Sequence, residues 1–277
     1  MPSYVITGVS RGLGFEFLRQ ISSDPNNTVV GIVRDKAGTE KRVAEELEGR
    51  SNISILQADM AVYDQLKKAA EDATSILGGK LDYLIANAGY VSLFDGFHGI
   101  GTLGTQTPME MQQDLQKAMD VNVYANIHLY NLFMPLILAG AAKKVVVISS
   151  GLADPDLTVQ YDLDVTALYS ISKAAMNMAT AKFSAQYRKD GVLFLSLCPG
   201  MVDVGRYDNV TPQQAAGLGR MMKSFKEYAP HFENAAQPAE AIRDVINVWE
   251  KASIENGDGG GIPFSQRNQA VAVNRRV

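Results

Sequence analysis

One stretch near the start of the chain constrains the fold more than any other: Val5-Ile6-Thr7-Gly8-Val9-Ser10-Arg11-Gly12-Leu13-Gly14. It reads as a buried strand at Tyr4 to Ile6, a glycine-punctuated turn, and a helix opening at Leu13. Gly8 lets the chain reverse sharply, Gly12 lets an anion such as a diphosphate approach bare backbone, and Gly14 lets helix and strand pack closely. The free amides and dipole of the helix start then face that anion. The spacing is Gly-x-x-x-Gly-x-Gly rather than the commoner Gly-x-Gly-x-x-Gly. By itself it also fits an ordinary βα turn.

Downstream, strand-like and helix-like segments alternate to the end, which predicts parallel βαβ units around one sheet. Strands are expected at Thr28 to Val33, Ile53 to Gln57, Leu81 to Ala86, Lys144 to Ser149 and Val192 to Leu197. Between them the pattern predicts helices at Leu13 to Ser22, Lys36 to Glu48 and Asp64 to Leu77. The last of these is begun by an Asp cap and stopped by Gly78-Gly79. Tyr90 to Thr107 reads as a glycine-rich loop, Pro108 to Leu138 and Ala167 to Lys189 as long helices, and Asp154 to Asp164 as a solvated acidic insertion. Met201 to Phe232 reads as a helical lid. Pro238 to Ala252 is a last helix carrying the only tryptophan, Trp249. Residues 257–277 form a weakly patterned tail, with one short strand at Ile262 to Phe264. The fold class is therefore α/β, a single-domain doubly wound parallel sheet with helices on both faces.

At 277 residues and 46% hydrophobic content, the chain can bury one large core. A formal net charge of -4, with no basic stripe, argues against nucleic acid as a partner. No apolar run approaches the length of a membrane span. The first strand begins close to Met1, leaving no room for a cleavable signal. Cys198, the single cysteine, reads as a small buried residue at a strand end. His98, His128 and His231 are dispersed without ligand spacing, and Asp154, Asp156, Asp162 and Asp164 lack the pattern of a calcium loop, so no metal site is expected. These features imply a soluble, cytoplasmic protein.

The second landmark is Tyr169-Ser170-Ile171-Ser172-Lys173. Residues four apart share a helix face, so the phenol and the ammonium lie side by side. A cation beside a tyrosine stabilises phenolate and lowers its pKa from about 10, making it a usable proton donor near neutral pH. The helix follows a strand ending in Ser149-Ser150-Gly151, and strand C-termini border the ligand crevice of a parallel sheet. Ser150, Tyr169 and the Gly8 to Gly14 turn are thus expected to face one cleft.

With these elements in order, the chain resembles the short-chain dehydrogenase/reductase family over nearly its whole length. The matching residues are Thr7-Gly8-x-x-x-Gly12-x-Gly14, Asp59, Asn87-Ala88-Gly89, Asn122, Ser150, Tyr169-x-x-x-Lys173 and Pro199-Gly200. Within the family it is most similar to fungal ketoreductases related to norsolorinic acid ketoreductase, through Val121-Asn122-Val123-Tyr124 and the helix around Trp249. The resemblance implies a Rossmann-type fold and catalytic roles for Asn122, Ser150, Tyr169 and Lys173. Tyr169 would protonate the substrate oxygen as hydride reaches carbon. Lys173 would lower the tyrosine pKa and hold the nicotinamide ribose. Ser150 would hydrogen-bond the carbonyl oxygen. Asn122 would hold a water linking Lys173 to solvent, although a helix residue hydrogen-bonded to backbone is the competing reading. Cofactor contacts are implied at Gly8, Ser10, Arg11, Gly12, Leu13, Gly14, Arg34, Asp59, Met60, Asn87, Ala88, Gly89, Tyr169, Lys173, Pro199, Gly200 and Val202. Asp59 would accept from the adenine amino group, and Asn87 to Gly89 would pass beneath the adenine-side ribose.

Cofactor choice turns on Val33-Arg34-Asp35 at the end of the second strand. An acidic residue there would bind the ribose of NAD(H), whereas Arg34 with Arg11 suits the 2′-phosphate of NADP(H). The expectation is NADP(H). Departures from the family are the Asp154 to Asp164 excess, a valine (Val204) where a threonine often binds the carboxamide, and the tail from Gly261. Met201, Met221, Met222, Phe225, Tyr228 and Phe232 would make an adaptable apolar cover. His98 and His231 either line the substrate mouth or lie at the surface. The function implied is NADPH-dependent reduction of a hydrophobic ketone or aldehyde, or the reverse oxidation, in fungal secondary metabolism. One alternative is a non-redox catalyst (dehydratase, cyclase or pericyclic) with structural NADP. A second is an NADP(H)-sensing regulator. Partners expected are a small carbonyl compound, no nucleic acid, no membrane, and copies of the same chain in a homodimer or homotetramer.

Overall fold

The computed structural model describes residues 1–205 and 210–260. The strands β1 (Ser3–Thr7), β2 (Thr28–Val33), β3 (Ile53–Gln57), β4 (Tyr83–Ala86), β5 (Lys144–Ile148) and β6 (Leu193–Leu197) form one parallel sheet in the order β3-β2-β1-β4-β5-β6. The chain runs outward from β1 to β3, then returns to start again at β4 on the other side of β1. This reversal makes a crevice between the C-terminal ends of β1 and β4. Thr7 ties the two ends together, its Oγ1 accepting from the amides of Asn87 (3.1 Å) and Ala88 (3.0 Å).

Successive strand residues point to opposite faces, and both faces are covered, so the strands read as continuous apolar runs. On one face Ile6, Ile85, Val146 and Leu195 meet Phe17 of α1 (Gly12–Ile21) and Val245 and Trp249 of the final helix. On the other, Val5, Leu84, Val145 and Phe194 meet Leu66 of α3 (Tyr63–Leu77) and Phe133 and Met176 of two later helices. Between β2 and β3 lies α2 (Lys36–Glu46), capped by Asp35. The expected helix start at Asp64 shifts: α3 begins at Tyr63 after Val62, which makes no side-chain cap. Gly78 ends it in the left-handed conformation, as the Gly78-Gly79 pair suggests.

Three segments depart further from expectation. The glycine-rich loop contains a short helix, α4 (Ile100–Gln106), packed by buried Leu103. The long helix is α5 (Pro108–Met119) and α6 (Ala125–Ala139), joined by a π-helical turn at Asp120–Tyr124. The acidic insertion folds into α7 (Pro155–Gln160), capped by Asp154, and its Leu157, Leu163 and Val165 are buried against Met221. Asp156 and Asp162 are exposed, whereas Asp154 is spent on the cap and Asp164 pairs with Arg220, and the apolar residues form a small core of their own. The remaining helices are α8 (Ala167–Tyr187), α9 (Pro212–Tyr228) and α10 (Pro238–Lys251). Segment 261–277, including the strand expected at Ile262 to Phe264, lies outside the described residues. Among the described residues no helix is long and apolar enough to cross a membrane.

Candidate functional site

The glycine turn is built as its spacing implies. Gly8 has φ +77°, and its amide donates to the Ile32 carbonyl at 2.8 Å, fixing the turn to β2. A Cβ on Gly14 would lie 2.1 Å from the Gly8 carbonyl oxygen, so helix and strand touch there only because the residue is glycine. Asn87 braces the same contact, its Nδ2 donating to the Thr7 carbonyl at 2.9 Å. Arg11 precedes α1 in extended conformation, with no side-chain cap and no acidic residue in the first helical turn. The leading amides of α1 therefore keep their hydrogen-bonding capacity for an anion. Gly12, at φ +56°, opens toward Val204. Arg42, which the sequence did not single out, supports the turn from outside: its Nη1 donates to the Ser10 carbonyl (3.1 Å) and its guanidinium covers the Phe15 ring.

Arg11 and Arg34 are exposed, and among the described residues neither enters an ion pair. The Asp35 carboxylate accepts from the Gly38 amide at 3.0 Å, so it is turned to its own helix. Asp59 closes its own turn by accepting from the Ala61 amide, and Met60 beside it is buried. A dinucleotide fits this rim: anion-seeking amides at α1, two exposed guanidinium groups, and Gly89 close to Lys173.

At the other end of the crevice is a cavity of about 300 Å³. Leu13, Ser150, Tyr169, Pro199, Gly200 and Val202 line it together, with Val204 at its edge toward the glycine turn. Met201, Met221, Phe225, Tyr228 and Phe232 supply the apolar wall, whereas Met222 does not line it. His98 and His231 are exposed and line no part of it. No charged side chain lines the cavity among the described residues. A second groove of about 750 Å³ runs between α2 and β3, and none of the expected site residues borders it.

The two serines after β5 separate cleanly. Ser149 is buried and donates its hydroxyl to Asn177 Oδ1 at 2.7 Å. Ser150 Oγ accepts from the Leu152 amide at 3.2 Å, which leaves its proton for a group in the cavity. Lys173 lies beneath, 4% exposed, its Nζ donating to the Ile148 carbonyl at 2.7 Å and standing 5.7 Å from the centre of the Tyr169 ring. Burial lowers the Lys173 pKa from 10.5 to about 8. Burial pushes the Cys198 thiol up, and its Sγ accepts from the amides of Gly151 and Gly200.

Asn122 sits in the π-helical turn, where one extra residue per turn redirects its side chain. Its Oδ1 accepts from the Tyr90 amide (2.7 Å), and its Nδ2 donates to the Tyr90 carbonyl (2.8 Å) and to Ser172 Oγ (2.9 Å). The side chain thus fastens the residue after Asn87-Ala88-Gly89 to α8. Sequence reasoning missed Asp95, a buried carboxylate that accepts from the amides of Leu168 and Tyr169. Its only signal was an acidic residue between Phe94 and Phe97, which reads equally well as a turn.

Known proteins share the sequence pattern and the fold of this chain. Residues 3–215 match the family described as short chain dehydrogenase. The short chain dehydrogenase virK of Hypocrea virens is 59% identical over 269 residues, covering 97% of this chain and 99% of that protein. The short-chain dehydrogenase/reductase iacC of Pestalotiopsis fici is 50% identical over 270 residues, with 97% and 99% covered. In fold, the chain is similar to the NADPH-bound carbonyl reductase from chicken fatty liver, with TM-score 0.76, 21% identity, and 98% and 99% of the two chains covered. The chain belongs to the short-chain dehydrogenase/reductase family and is an oxidoreductase of that type.

Proposed function

We propose that this protein is an NADPH-dependent reductase of a neutral, hydrophobic ketone or aldehyde, and that it serves fungal secondary metabolism. The observation that carries the reading is the cavity itself: Ser150 and Tyr169 share it, Lys173 is buried beneath, and the wall is uncharged and apolar. A reduced nicotinamide, when bound, supplies a hydride to the carbonyl carbon. The chain supplies the rest. Ser150, keeping its own proton, hydrogen-bonds the carbonyl oxygen through its hydroxyl and stabilises the charge developing there. Tyr169 transfers its phenolic proton to that oxygen, and the Lys173 ammonium stabilises the phenolate left behind. Asn122 holds Tyr90 against α8, through bonds to the Tyr90 backbone and to Ser172. The described part of the 201–232 stretch, with α9, acts as the lid, and Met201, Met221, Phe225, Tyr228 and Phe232 adapt to the substrate.

The residues that would hold the dinucleotide are Gly8 and Ser10 to Gly14 at the diphosphate, Asp59, Met60 and Asn87 to Gly89 at the adenosine, and Pro199, Gly200 and Val202 beside the carboxamide. Preference for NADPH is supported by the two exposed arginines and by Asp35 being occupied at the start of α2. The chicken carbonyl reductase of similar fold is itself NADPH-bound. Outward-facing Ile171 and Met178 support a homo-oligomer.

The test is a panel of neutral ketones and aldehydes, with NADPH and NADH compared by loss of nicotinamide absorbance and products weighed by mass spectrometry. Products heavier by a hydride and a proton are expected, with NADPH preferred. Tyr169→Phe is expected to bind NADPH normally while turnover falls by ~100-fold or more. Undiminished turnover in that variant, or a product of unchanged mass, overturns the reading.

A further inference from the structure

The helix bearing Tyr169 and Lys173 starts in an unusual way. Thr166, at its N-cap, has φ +58°, a left-handed conformation that a β-branched residue adopts only under strain. Its own side chain caps nothing: Thr166 Oγ1 is given to the Val165 carbonyl. The cap comes instead from a distant loop. Asp95, 1% exposed, accepts from the amide of Leu168 at 3.0 Å through Oδ1 and from the amide of Tyr169 at 2.9 Å through Oδ2. The Asp95 carbonyl also takes the Thr166 amide at 3.1 Å. One residue therefore grips the first turn of α8 at three amides, one of them belonging to the tyrosine.

The same loop touches the lid two residues later. The Phe97 carbonyl accepts from Arg220 Nη2 at 3.3 Å, and a Cβ on Gly217 of α9 would lie 2.3 Å from that carbonyl oxygen. Arg220 also pairs with Asp164, just ahead of Thr166. The loop is thus wedged between α9 and the start of α8.

We infer that Asp95 is a positioning residue for Tyr169, holding its phenol in place through the backbone at the start of α8 and linking that position to the seating of the lid; the inference rests on the reading of Tyr169 as the proton donor. A neutral cap could satisfy the same amides at the helix start, but a buried carboxylate does so with stronger, charge-assisted bonds and accepts at both oxygens at once. Its negative charge also opposes formation of phenolate, working against Lys173 on the same helix. The other titratable groups that line the cavity with Tyr169 are Cys198 at the end of β6 and Tyr228 on α9; Tyr161 and Asp154 act on Tyr228.

The experiment compares the full-length protein with Asp95→Asn, and with Asp95→Ser should the first not fold. NADPH affinity, kcat and the titration of Tyr169 are measured, the last by NMR of carbon-13-labelled tyrosine. Tyr169→Phe identifies the resonance. With NADPH affinity unchanged, kcat is expected to fall by ~10-fold or more, and the Tyr169 titration to shift from its wild-type position. An unmoved titration overturns the inference, whether kcat is unchanged or falls only with thermal stability. A moved titration in a protein whose wild type reduces no carbonyl supports the positioning and overturns the proposed reaction instead.

Discussion

At the scale of single residues, the decisive feature is an ammonium group placed where water cannot reach it. Lys173 is held by the Ile148 carbonyl, and desolvation brings its pKa down to about 8. Below that value the group is charged and favours release of the Tyr169 proton. As pH rises through about 8 the charge is lost, and the phenol returns toward the weak acidity of an ordinary tyrosine. The alkaline limb of kcat/KM for carbonyl reduction, which reports the free enzyme, is expected near pH 8. A limb at about 10, where an unperturbed lysine or tyrosine titrates, would contradict this account. The adjacent serines show what residue types leave open. Ser149 and Ser150 look alike in the chain, yet one hydroxyl is given to Asn177 and the other keeps its proton for the cavity.

At the scale of elements, the sheet is common property and the helices do the placing. The N-terminus of α1 is aimed by its packing onto β1, and that packing is reinforced from behind by α10. Trp249, fully buried, stacks on Phe17 at 5.5 Å between ring centres and lies near Tyr83. The end of α10 is fastened by Lys144, whose Nζ donates to the carbonyls of Trp249 (2.7 Å) and Ala252 (3.0 Å). Trp249→Ala should leave a large cavity under α1 and lower stability by ~3–5 kcal/mol in denaturant unfolding. NADPH affinity should weaken in the same variant because the diphosphate-facing turn loses its backing. A loss below 1 kcal/mol, roughly the scale of a surface substitution, would show that α10 is not what supports α1.

At the scale of the whole molecule, α8 has two duties: its inner side carries Tyr169 and Lys173, and its outer side is apolar. Ile171 and Met178, seven residues apart and so on one face, are 41% and 61% exposed, with Tyr124 of the π-helical turn also exposed. If this face joins copies of the chain, light scattering should give a multiple of the 30.0 kDa single-chain mass. The double substitution Ile171→Asp with Met178→Asp should return the single-chain mass. A wild-type protein already at that mass refutes the pairing.

The local pattern of the chain determined whatever depends on neighbours in sequence. The glycine turn is legible because glycine adopts φ +77° at Gly8 without strain and because only glycine allows the approach at Gly14. The strands are legible because a sheet covered on both faces demands unbroken apolar runs, and Tyr169 with Lys173 because a helix places residues four apart on one side. The tertiary structure alone decided what depends on groups far apart in the chain. Asp95 caps a helix that begins 72 residues later by sequence number, and the insertion around Asp154 becomes a helix because Leu157, Leu163 and Val165 find Met221. Lys173 acquires its shifted pKa from burial under segments distant in sequence. Propensity and spacing act over a few residues, whereas desolvation and imported caps exist only once remote segments have closed together.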